Sequence, residues 1–180
     1  MNLKQYITEK NILYLLIGIL LLSTFLDIYT AFTSPIFEIG ETNPIYVLTG
    51  SKGPLLLLTV VFTIWIIRSL QTSISLFKLF LFSLVLIYMT FGHFVGVYGN
   101  TITTNDYKEN PEEVKAALEN YDAQDKFVSY SMVIGMFLLL PYTLSFIAFY
   151  ITMYFHNQRK PERERITDEI YKLSKRLKEK

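Results

Sequence analysis

The sequence predicts an all-α integral membrane protein. The fold class is a four-helix transmembrane bundle with both termini cytoplasmic. A short extracytoplasmic helix joins the third and fourth spans, and an amphipathic cytoplasmic helix closes the chain. Three observations predict this. Hydrophobic residues make up 51% of the 180, and they are blocked into runs near 20 residues, the length that crosses a hydrocarbon core. Charged residues fall between the runs. Lysine and arginine flank alternate connections, which marks those as cytoplasmic.

The first run is Ile12 to Phe32, 21 residues with Asp27 as its one charge. At 1.5 Å per residue it is about 31 Å long, one bilayer core. A signal peptide is the rival reading, because Lys4 and Lys10 precede the run. The run is long for one, and no Ala-x-Ala site follows it. The second span is expected over 44–68. Asn43 is a good helix cap and Pro44 suits a first turn, which puts Lys52 inside the helix near its start. The third span is expected over 76–98, with Asn100 capping its outer end. Asn110-Pro111-Glu112-Glu113 then reads as a helix start in a hydrophilic loop. The fourth span is expected over 127–155, kinked at Pro141.

Residues 1–156 thus form the membrane domain and 157–180 a charged cytoplasmic tail. In the tail Ile166, Ile170, Leu173 and Leu177 make one apolar stripe. It suits a lipid surface, a second copy or a protein partner, and a solvated helix is the plain alternative. The tail carries nine lysines and arginines against five acids, whereas 100–126 carries three against seven. That contrast places the tail inside and the acidic loop outside. The expected location is the cell membrane.

Composition removes several chemistries. The chain has no cysteine, so disulfides, thiolate metal sites and cysteine nucleophiles are excluded. Net charge is +1, and no nucleic acid is expected as a partner. Metal-protease, nucleophile-elbow and phosphate-loop motifs are missing from the sequence. The two histidines, His93 and His156, are expected at opposite membrane faces, which argues against a multi-histidine metal centre.

What remains is a layer of polar groups. Asp27 lies about 22 Å along the first span and His93 about 26 Å along the third. Glu41, Asn43 and Lys52 surround the start of the second, and Asn100 follows His93 by seven residues, on the same face. Ser23, Thr24, Asp27, Thr30 and Ala31 form a small, polar face. Gly92-x-x-x-Gly96 and Ser131-x-x-x-Gly135 permit close helix approach. The expected ligand-binding set is therefore Asp27, Thr30, Glu41, Asn43, Lys52, His93 and Asn100. Asp27, Glu41 and His93 are the candidate metal ligands, and no catalytic residue or cofactor is assigned. An ionisable group at membrane depth is costly and needs a partner, a proton or a job. The plain alternative pairs Asp27 with Lys52 and leaves Glu41 and Asn43 as helix caps. Histidine changes charge near neutral pH, so His93 is a candidate pH-sensitive group.

Asp27-x-x-Thr30 followed by Glu41-x-Asn43-Pro44 resembles an uncharacterised family of small prokaryotic multi-span membrane proteins. Lys52 and Asn100 are consistent with that family, and the likeness covers roughly 12–100. It implies no activity. Three functions follow from the residues. The first is a site that binds or conducts a small cation or polar solute, with a homo-oligomer completing the pathway. The second is a non-enzymatic subunit or assembly partner whose polar layer is structural. The third is an intramembrane hydrolase or transferase acting on lipid.

Overall fold

A computed structural model describes residues 8–72, 74–137 and 139–158, and in the tail residues 161, 162, 164, 166, 167, 169, 170, 172 and 175. The described residues are helical apart from short connections. The helices are α1 (Glu9–Thr33), α2 (Phe37–Gly40), α3 (Pro44–Thr49), α4 (Gly53–Leu70), α5 (Leu76–Glu109), α6 (Pro111–Glu119), α7 (Ala123–Phe137) and α8 (Leu139–Gln158). Four of them, α1, α4, α5 and α8, are long and apolar enough to cross a membrane.

Each long helix starts where local chemistry dictates. The Thr8 side chain accepts the Asn11 N–H and caps α1. Ser75 accepts the Lys78 N–H and caps α5. Pro54 lies in the first turn of α4, where its missing N–H costs no helical bond. Several buried hydroxyls bond carbonyls of their own helices, as Thr24 donates to the Leu20 carbonyl at 2.8 Å and Thr152 to Ala148 at 2.9 Å, while Thr63 Oγ1 of α4 and Ser83 Oγ of α5 have no partner among the described residues. The small polar face of α1 enters the bundle with its Ser23, Thr24 and Thr30 hydroxyls bonded to carbonyls one turn back.

The core joins three of these helices. Leu13, Ile17 and Leu20 of α1 meet Ile66 and Leu70 of α4 and Leu79, Phe82 and Leu86 of α5. Phe80 of α5 packs edge-on against Phe146 and Phe149 of α8. Large apolar residues on the other faces, among them Phe25, Phe77 and Ile147, point outward. Such a continuous apolar exterior is what a lipid-facing surface requires.

The second span differs from its expected extent. The run 44–68 does not form one helix. α3 ends at Gly50, whose φ is +66°, and α4 restarts at Gly53. The left-handed conformation of Gly50 turns the chain, and Lys52 becomes the N-cap position of α4 instead of an interior residue. Gly50→Ala is expected to cost about 1 kcal/mol, because a Cβ clashes in that conformation. A lowered thermal midpoint checks it, and an unchanged one would contradict a left-handed turn here.

The third span is longer than expected. α5 has 34 residues and runs unbroken past Asn100 to Glu109, about 51 Å. Asn100 is interior to it and caps nothing. Thr101 and Thr103 return their hydroxyls to carbonyls one turn back, which lets the helix carry polar residues beyond the apolar run. The helix expected from Pro111 is present as α6, with Pro111 in its first turn. The fourth span, expected over 127–155, is described as α7 and α8 on either side of residue 138, which lies outside the described residues; the candidate membrane span is Leu139–Gln158, with Pro141 buried in its first turn. In the tail, Ile166 and Ile170 are helical and exposed, while Leu173 and Leu177 lie outside the described residues.

Candidate functional site: a buried ionic cluster

One carboxylate collects the expected polar layer. Asp27 sits late in α1, with its side chain 12% exposed. Its Oδ1 accepts from Lys52 Nζ at 3.2 Å and from Asn100 Nδ2 at 3.4 Å. Its Oδ2 lies 2.9 Å from His93 Nδ1. An ionised carboxylate only accepts, so Nδ1 carries the hydrogen. The three partners come from the N-cap of α4 and from two positions of α5 spaced by two turns.

The approach of α1 to α5 is set by Gly96. A Cβ at that position would lie 2.5 Å from Asp27 Oδ1. The missing side chain is the space in which the carboxylate sits. The companion Gly92 faces open space, as does Gly135, with nothing within 4 Å among the described residues. Among the described residues, Gly96 is the one glycine of the two expected motifs that serves a close approach.

Lys52 bridges to a second carboxylate. Its Nζ is 3.0 Å from Glu41 Oε2 and 5.0 Å from the centroid of the Phe37 ring, a distance at which an ammonium is attracted to the ring face. Glu41 Oε1 accepts the Asn43 N–H at 2.8 Å. The Asn43 side chain then accepts the Ile45 N–H at 2.9 Å and caps α3. Asn43 thus serves the cluster through its backbone, and its side chain works as the cap the sequence predicts. Thr30 joins through Asn100, whose Nδ2 is 3.2 Å from its hydroxyl.

Four contributors were not among the expected site residues. Thr59 of α4 brings Oγ1 to 3.4 Å from His93 Nε2 and also bonds the Leu55 carbonyl. Phe37 supplies the ring over Lys52. Tyr130 of α7 is within electrostatic range of both Glu41 and Asp27. Lys126, at the start of α7, donates to the Ile39 carbonyl at 2.7 Å and ties that helix to α2. Thr59 leaves one trace in the sequence. With Thr63 it forms a hydroxyl pair at helical spacing inside an apolar run.

Hydrogen donors already engage both Asp27 oxygens. Asp27 is surrounded by three nitrogen donors, and Lys52 fills the gap between the two carboxylates. Among the described residues no group of three or more His, Asp or Glu is arranged to hold a metal ion.

The order Asp27–His93–Thr59 has the sequence of roles found in a nucleophile triad. Thr59 is 2% exposed, and its hydroxyl is engaged by its own helix. A nucleophile needs a substrate within reach, so the geometry gives the lipid-hydrolase reading no support.

Four long apolar helices around a buried charged cluster define a small multi-span membrane protein. Searches of protein-family models, curated protein sequences and solved structures find no match to this chain.

Proposed function

We propose that the protein binds one small cation, the proton included, at the Asp27–Glu41 cluster, on the outward side of the membrane. The observation that carries this is a charge imbalance. Two carboxylates, each nearly nine-tenths buried or more, share the single ammonium of Lys52. The neighbouring side chains Asn100, Thr30, Thr59 and Tyr130 add no charge at neutral pH. One negative charge is left without a matching positive one, and an unmatched buried charge attracts a counter-charge strongly. The orientation is part of the proposal. The basic residues Arg68 and Lys78 lie at the end of α4 and the start of α5, both away from the cluster, and the acidic α6 belongs to the cluster end. Basic flanks mark the cytoplasmic face, which turns the cluster outward and leaves both termini inside. Four helices are few for a conducting path, so conduction would require a homo-oligomer.

Thermal stability in detergent, followed while Li+, Na+, K+ and pH are varied, tests the proposal. Wild type is expected to gain about 2.7 kcal/mol when the bound cation reaches 100-fold over its dissociation constant. Asp27→Asn removes the excess charge and is expected to lose the response. A wild type indifferent to every cation and to pH would sink the idea.

One observation favours a second reading, a structural network in a membrane subunit. Both Asp27 carboxylate oxygens already have partners. On that reading Asp27→Asn unfolds the protein without any ligand dependence. The functional surface would then be the tail, and its deletion would release a co-purifying partner.

A further inference from the structure

We propose that the cation taken up by this cluster is a proton, that His93 is its acceptor, and that the Thr59 hydroxyl serves the ring in both charge states. This inference rests on the cation-binding reading and names its ligand.

The argument begins with what surrounds Asp27. A metal cation needs several lone pairs pointing inward, commonly six or so oxygens for a hard ion. Asp27 meets hydrogen donors instead, on Lys52, Asn100 and His93. The position between Asp27 and Glu41 is filled by Lys52 Nζ. A proton needs only one lone pair, and His93 Nε2 supplies it, because Nδ1 already holds the hydrogen shared with Asp27.

Thr59 completes the device. Its Oγ1 is 3.4 Å from His93 Nε2 and 3.1 Å from the Leu55 carbonyl. In the neutral ring Nε2 is an acceptor, and the Thr59 hydroxyl turns its hydrogen toward it. In the charged ring Nε2–H is a donor. The Thr59 oxygen then accepts it, and the hydroxyl hydrogen turns to Leu55. A hydroxyl both donates and accepts, so one rotation satisfies either state and no heavy atom moves. A buried imidazole without such a partner would leave one state unsatisfied, at real cost.

The charge balance agrees. Asp27 faces the ring from α1. Glu41 and Lys52 lie next to Asp27 from the connector, and Tyr130 of α7 is within electrostatic range of both carboxylates. Lys126 is held on the Ile39 carbonyl at the roof of the same end. Thr59 from α4 and Asn100 from α5 itself are uncharged. Among the cluster groups proper, the sum is minus one with a neutral ring and zero with a charged one. The proton arrives from water, and nothing else is consumed.

The chain has two histidines, so in a His156→Gln background every histidine signal belongs to His93. Full-length protein in lipid nanodiscs, labelled with 15N at histidine, is followed by NMR between about pH 5 and 9, the range in which imidazoles change charge. The ring is expected to pass from neutral to charged, with Nδ1 protonated at both ends. Thr59→Val is expected to shift the Nε2 signal of the neutral ring toward that of an unbonded nitrogen, and Thr59→Ser to restore it. If His156→Gln does not fold, the difference between wild type and His93→Gln isolates the same signals. A ring that stays neutral throughout overturns the inference. If Na+ or Li+ then still stabilises wild type and not Asp27→Asn, the cation-binding reading stands with a different ligand. If no cation acts either, both fall. A ring that titrates with Nδ1 unprotonated in the neutral state would also overturn the inference, since Asp27 would not be its partner.

Discussion

Lys52→Met is expected to destabilise the protein by about 3–5 kcal/mol, which for a chain of this size lowers the thermal midpoint by roughly 6–20 °C. Methionine nearly reproduces the stem of lysine, so packing is kept and the ammonium is lost. Both carboxylates lose their shared cation at once, Asp27 at 3.2 Å and Glu41 at 3.0 Å. Asp27 keeps His93 and Asn100, and Glu41 keeps the Asn43 N–H. These bonds soften the loss without cancelling two negative charges in one small volume. The cost is therefore one of orphaned charge, and it should be recoverable. Adding Asp27→Asn removes one orphan, and adding Glu41→Gln removes the other. The triple variant is expected to regain most of the midpoint, since removing a buried ionic group entirely is far less costly than breaking it. A Lys52→Met protein as stable as wild type would mean that the ammonium does not hold the carboxylates together.

This arrangement was partly legible in the sequence, for reasons that differ residue by residue. Asp27 is the one charge in a 21-residue apolar run, and only a buried partner makes that tolerable. Helical rise set Asp27 and His93 at similar depths, and the seven-residue spacing of His93 and Asn100 put them on one face. Those arguments need only a straight helix. Lys52 reads as interior to a helix because proline and apolar content both favour continuing one from Pro44. The positive φ of Gly50 is a choice between two conformations that glycine adopts equally well, and tertiary contacts decide it. The full extent of α5 is not legible, because hydropathy ends the apolar run near residue 98 while the backbone continues as helix to Glu109. Thr59 does not stand out in the sequence, because a hydroxyl inside an apolar run usually bonds its own backbone. Thr59 does so, and bonds the ring as well. Depth and periodicity are local properties of one chain segment. Which rotamer meets which ring depends on the crossing of two helices, and no spacing encodes it.

The sharpest test of that crossing lies within one motif, since Gly92→Ala and Gly96→Ala are expected to move stability in opposite directions. Both glycines are interior to α5, where alanine is favoured over glycine by about 1 kcal/mol. At Gly92 an added Cβ has nothing within 4 Å among the described residues, so the helical preference acts alone and the midpoint should rise by roughly 2–4 °C. At Gly96 the Cβ would fall 2.5 Å from Asp27 Oδ1 and 2.9 Å from its Cγ. The carboxylate is the end of a short side chain held by Lys52, His93 and Asn100, and it yields only by loosening those bonds. Overpacking of this kind costs about 1–3 kcal/mol, and the weakened ionic contacts add to it. A net loss near 3 kcal/mol, roughly 6–12 °C, is expected. Shortening the side chain in the same protein, Gly96→Ala with Asp27→Ser, removes the collision and should make the two changes non-additive. If Gly96→Ala instead stabilises as Gly92→Ala does, α1 does not approach α5 at this point, and the cluster around Asp27 is not assembled as described.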